Sequence, residues 1–132
     1  MEIGTPPKTW RQYESQESLV TLAWAAFAPT TDKAPDTDTE IDISLATSIA
    51  IQIDTTAAGN VSNDNDINVE TSPDGANWHS VPYAERNIGD AEVKTFLVEP
   101  GPKKIRLRAD NNHASSNAQI TCRVLVRSLN AL

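Results

Sequence analysis

Apolar and polar residues alternate with a period of two over most of the chain beyond residue 38, and such alternation puts every second side chain on one face of a strand. Ile41, Ile43 and Leu45 alternate with Asp42 and Ser44; Ile49, Ile51 and Ile53 with Ala50 and Gln52; Ile67 and Val69 with Asn68 and Glu70. Later, Ile105, Leu107 and Ala109 alternate with Arg106 and Arg108, and Ile120, Cys122, Val124 and Val126 with Thr121, Arg123 and Arg127. Leu125 is an apolar exception on the outer face of that last strand, and the mixed run 93–98 reads as a strand covered on both faces. The segment 18–28 (SLVTLAWAAFA) admits two readings. As a helix capped by Ser15 it would gather Leu19, Leu22, Ala23, Ala26 and Phe27 on one side. As a strand it would turn Val20, Leu22, Trp24 and Ala26 inward. The strand is preferred, because every later element is β and a sheet needs partners.

Turn chemistry separates these runs. Residues 55–66 are rich in Gly, Asn, Asp and Ser, which tolerate left-handed or Asx-turn backbone. Ser72-Pro73-Asp74-Gly75 is a tight turn in which Pro fixes φ and Gly supplies a positive one. Glu99-Pro100-Gly101-Pro102 and the polar loop 110–117 punctuate the last strands. Short strands at about ten-residue spacing, divided by such turns, predict an all-β protein: a single antiparallel β-sandwich, jelly-roll-like, spanning 18–132. Residues 1–17, with Pro6-Pro7 and the isolated aromatics Trp10 and Tyr13, read as an extended N-terminal arm, and 29–40 as a solvated connector.

Composition narrows the function. A chain of 132 residues fits one domain with a core of its own. Its net charge is −7, from 11 basic and 18 acidic residues. That balance excludes a sequence-independent nucleic-acid binder, which draws affinity from Lys and Arg replacing phosphate counterions, and disfavours an anionic membrane surface. Acid is concentrated in residues 1–66, with eleven acidic and three basic residues against seven and eight in 67–132, an asymmetry suited to head-to-tail pairing of identical subunits. The one cysteine, Cys122, falls on the apolar face of its strand and reads as a small core residue. With neither a basic nor an apolar leader at the start, the chain is expected to be made and folded in a reducing cytoplasm.

Catalytic raw material is thin. The histidines are His79 and His113; His113 lies in a polar loop, and His79 is expected to face solvent where Trp78 faces the core. Metalloprotease, redox, hydrolase and nucleotide-loop motifs do not occur, so no catalytic residue and no cofactor is assigned and the protein is read as a non-enzyme. Residues 60–66 (NVSNDND) offer oxygen ligands for calcium but lack the Gly and Glu spacing of an EF-hand, so no metal is assigned either. Trp10 and Tyr13, with Arg11 between them, suit a protein contact: aromatic anchors plus a guanidinium donor fork. The opposing reading folds the arm back onto its own sandwich.

Two family resemblances follow from the residues. Val69 through Trp78 (VETSPDGANW) is similar to the strand, Ser-x-Asp-Gly-x-x-Trp, strand hairpin of several β-sandwich families. With the paired strands over 42–54 and the closing pair around 103–108 and 120–126, the order resembles small β-sandwich structural proteins of tailed bacteriophages, head decoration (cement) proteins among them. That resemblance implies a virion protein on the head surface that binds the major capsid protein lattice as a homo-oligomer, dimer or trimer, with Trp10, Arg11 and Tyr13 as contact residues. The same hairpin is similar to discoidin-like carbohydrate-binding modules. There the resemblance implies glycan binding through Tyr83 and Arg86; a phage tail or fibre adhesion module is a further alternative.

Overall fold

The computed structural model describes residues 13–37 and 40–131. They form nine strands and, among the described residues, no helix: β1 (Tyr13–Phe27), β2 (Thr31–Lys33), β3 (Ile41–Asp42), β4 (Ala46–Asp54), β5 (Asn65–Ser72), β6 (His79–Ile88), β7 (Val93–Val98), β8 (Lys104–Asn111) and β9 (Ala118–Ala131). One sheet has the order β1-β9-β4-β7, and the other β2-β8-β5-β6 with β3 beside β2 on the same side of β8. Taking β2 and β3 as one interrupted strand, the pairs β1·β9, β2/β3·β8, β4·β7 and β5·β6 are those of one long antiparallel hairpin folded in half along its length. Rolling that hairpin up adds β9·β4 and β8·β5 and closes two facing sheets, a jelly roll. The antiparallel sandwich expected from the alternation is what forms.

The hairpin's tip is the Ser72-Pro73-Asp74-Gly75 turn. Gly75 has φ +81°, and the Ser72 hydroxyl accepts its amide at 2.8 Å. Asp74 Oδ1 accepts the amides of Ala76 and Asn77, both at 2.8 Å, and Oδ2 takes the Asn77 side-chain amide at 2.6 Å. Between the sheets, Leu22, Trp24, Ile49, Ile51, Ile53, Cys122 and Val124 from the first meet Ile67, Val69, Ile105, Leu107 and Ala109 from the second, all buried. Burying a side chain of this size stabilises by roughly 1.5–3 kcal/mol. Burial also pushes the Cys122 thiol well above its ordinary value, so it is a packing residue.

Several local expectations change. Residues 18–27 are strand, but Ala26 is exposed and Phe27 is buried in its place. The register moves from Trp24↔Ile120 to Phe27↔Ala118, so β1 carries one extra residue there, and the bulge reverses which face follows. The Trp24 indole meanwhile donates to the Lys33 carbonyl at 2.9 Å. Leu45 does not continue the alternation of Ile41 and Ile43: the chain turns after Asp42, whose carboxylate accepts the Ser44 amide and hydroxyl, and Leu45 stands 63% exposed. Strand β7 belongs to one layer of a two-layer sandwich, so 93–98 is open on its outer face, where Val93 and Leu97 are exposed. Trp78 lies outside the core cluster and stacks on the Arg106 guanidinium, 4.2 Å from its carbon to the ring centroid. Arg106 alternates with inward Ile105 and Leu107, so this stack covers the outer face of β8.

Candidate protein-interaction site

Strand β1 begins at Tyr13, so the last five residues of the expected arm are in the sheet, where Tyr13–Glu17 pair with Ala131–Arg127. Trp10 and Arg11 lie outside the described residues. The ladder between β1 and β9 runs further than the rest of the sheet, because β4 joins β9 only from Ala46↔Ser128 onward. Residues 13–15 and 129–131 therefore form a two-stranded ribbon past the third strand, with Tyr13 opposite Ala131 at its tip. Glu17 and Arg127 brace its base with an ion pair of 3.0 Å, and Leu129 is half exposed beyond them.

Beside that base lies an open cavity of about 230 Å³, lined by Ser18, Ile41, Asp42, Leu45, Val126 and Ser128. The Ser44 hydroxyl and amide hold the Asp42 carboxyl below its usual range, so Asp42 carries its charge at neutral pH. Hydroxyls, one fixed carboxylate and an exposed leucine suit a peptide or protein surface, which offers amide donors and apolar side chains together. Period-two reading hid this feature, because it assigned Leu45 to the core. The Asp-x-Ser spacing of Asp42 and Ser44, which makes an Asx turn, was the signal for a break there.

At the opposite end of the sandwich the polar loops are occupied with structure. Asn60 Nδ2 donates to the Ser62 carbonyl and to Asp90, and its Oδ1 accepts the Gln119 amide at 3.0 Å. Asp66 accepts from Arg86 at 2.9 Å, from the Asn87 amide and from Asn112. Among the described residues no group of three or more His, Cys, Asp or Glu is placed to hold a metal ion. His113 Nδ1 accepts the amides of Ser115 and Ser116 at 3.0 Å each, so its ring shapes its own loop. Of the residues named for glycan binding, Arg86 is tied to Asp66 with half its side chain exposed, and Tyr83 lies in β6 at the register position of Val69.

Across the outer face of the second sheet, Asp32, Asp110 and Asp66 sit opposite one another on β2, β8 and β5. Partial burial, followed by a hydrogen bond with Asp32 and the charges of Asp32 and Asp66, raises the Asp110 carboxyl above its ordinary value. Arg108 at 2.6 Å from Asp32 and Arg86 on Asp66 neutralise the flanks of this row.

No protein-family model matches the chain, and no curated protein matches it in sequence. In structure it is similar to a protein of the disulfide-linked pili that form Bacillus endospore appendages, with TM-score 0.52, 9% identity, and coverage of 98% of this chain and 99% of that one. It is also similar to the SPBc2 prophage-derived protein YomS, with TM-score 0.50, 12% identity, and coverage of 86% and 96%. At these identities the likeness is one of fold: small, single-domain β-sandwiches of nearly the same length.

Proposed function

We propose that the protein is a non-catalytic virion structural protein that binds an assembled phage capsid as a decoration protein. The observation that carries this reading is the ribbon that projects from one end of the sandwich and joins residues 1–12, with Trp10 and Arg11, at Tyr13. A rigid sandwich with anchoring residues next to such a ribbon suits attachment to a larger assembly. The fold is shared with a prophage-derived protein and with a protein of the disulfide-linked pili of Bacillus endospore appendages, which supports a structural role over a catalytic one.

Stabilisation would act by mass action. A protein that binds the assembled lattice more tightly than the free capsid subunit makes disassembly break its own contacts as well. A dimer or trimer would multiply that effect, because each further contact forms at high local concentration. The test uses a chain lacking residues 1–12, which leaves every described strand intact. Full-length protein is expected to co-sediment with assembled heads of the phage that encodes it, and Trp10→Ala to weaken that binding about tenfold or more, the usual loss at an aromatic anchor. The truncated chain is expected to stay folded and remain in the supernatant. Undiminished binding by the truncated chain would refute the arm as the attachment site.

A further inference from the structure

The first sheet ends in two edge strands, β1 and β7, and neither has a strand on its outer side among the described residues. Every neighbouring pair in the order β1-β9-β4-β7 is antiparallel, so β1 and β7 run in opposite directions. A second copy placed alongside by translation across the sheet therefore presents its β1 antiparallel to β7 of the first.

The registers also match. One row crosses the outer face as Leu19, Leu125, Ala50 and Leu97, and the row beneath it crosses the core side as Val20, Val124, Ile51 and Phe96. Leu19 and Leu97, at the two ends of the outer row, are 62% and 74% exposed. Val20 and Phe96, at the ends of the inner row, are only partly buried against the core. Side by side, Leu97 meets Leu19, Phe96 meets Val20 and Thr95 meets Thr21 of the second copy; the aromatic–β-branched and Thr–Thr pairs are of the kinds that stabilise neighbouring strands.

Backbone directions agree. The Ala23 carbonyl points outward, where it accepts the Asp36 amide at 2.8 Å, and antiparallel strands turn successive residues to alternate sides. Leu19 and Thr21 thus face outward, and following the same alternation through the register turns Thr95 and Leu97 outward on β7. Asp36 closes the β1 edge at Ala23 and Ala25 and leaves Ser18 to Thr21 open.

We propose that β7 of one copy adds to β1 of the next, joining copies head to tail through this sheet. The contact is small. An edge of six residues is about 20 Å long and a two-layer sandwich about 20 Å thick, so each copy buries ~400 Å², half the ~800 Å² per partner of a stable complex. It is a weak contact in dilute solution and fills where copies are held side by side. It does not depend on what the residues 1–12 bind.

Disulfide trapping tests it, with one variant carrying Leu19→Cys and another Leu97→Cys, both at exposed positions. Within one chain the two sites are three strands apart, about 14 Å, beyond the ~7 Å limit for a disulfide, so any bridge joins two copies. The native Cys122 is buried. Under mild oxidation at high protein concentration, a mixture of the two variants is expected to give covalent dimers at least tenfold above either variant alone. Adding Thr95→Pro to the Leu97→Cys chain removes the outward amide and is expected to abolish that excess. The proposal is overturned if the mixture gives no dimer, or if Leu19→Cys alone matches the mixture, which would mean a two-fold contact. It is also overturned if Leu19→Cys bridges equally well to exposed Val61→Cys, which would mean random collision.

Discussion

Asp74 is fully exposed at the tip of the β5–β6 hairpin, yet the amides of Asn77 and Ala76 hold its carboxyl far below the ordinary 3.8. A depressed folded value means stability that is present above pH 3.8 and lost as pH falls below it. Asp110 has the opposite sign. Its raised value gives stability that is present below 3.8 and lost as pH rises through the folded value. Urea denaturation of Asp74→Asn is expected to show destabilisation at pH 7 that shrinks below pH 3.8. Asp110→Asn, which keeps an acceptor for Asn68, is expected to stabilise at pH 7 by about 0.5 kcal/mol after solvent screening, and to match the parent at pH 3. Thr30 carries a third local imprint: a β-branched residue at φ +56° in the β1–β2 turn. Left-handed backbone at such a residue costs about 1–3 kcal/mol, so Thr30→Gly is expected to stabilise by about 1 kcal/mol, read as a rise in Tm.

Strand β1 shows how the elements depend on one another. Its composition left helix and strand open, and the fourteen-residue partner β9 decided for strand. The bulge after Trp24 was not legible, because Ala26 and Phe27 are both apolar and neither announces its face. Leu45 misled for the opposite reason, continuing a correct period one residue past the chain's turn. Clean alternation did place Ile49, Ile51, Ile53, Ile105, Leu107 and Val124, since one polar face and one apolar face admit only one register. The β1 edge is stapled by Asp36, whose carboxylate accepts the Ala25 amide at 2.7 Å. Asp36→Ala is expected to cost about 1 kcal/mol and, more specifically, to release the Ala25 amide to fast hydrogen exchange while the Leu22 amide keeps its protection. Equal protection of Ala25 in both proteins would remove the staple from the account.

At the scale of the whole molecule, the jelly roll follows from the tight turn at residues 72–75, at the middle of the chain, and from strands that pair outward from it. The turn was readable in Ser72-Pro73-Asp74-Gly75; the folding of the long hairpin into two sheets was not, because β9·β4 and β8·β5 pair residues far apart in sequence with no local signal. The projecting ribbon was hidden for the same reason, since it exists only by the difference in length between β9 and β4. This architecture brings Tyr13 and Ala131 together at one end of a stiff sandwich and leaves β1 and β7 as edges of one sheet among the described residues, an arrangement suited to a part that attaches to something larger and lies beside its own copies. The most direct measurement is the affinity of the full-length protein for assembled heads beside its affinity for free major capsid protein, at the same salt and pH. Binding to heads is expected to be at least a hundredfold tighter, with heads that survive to a higher temperature when decorated. Equal affinity for free subunit and assembled head would contradict it.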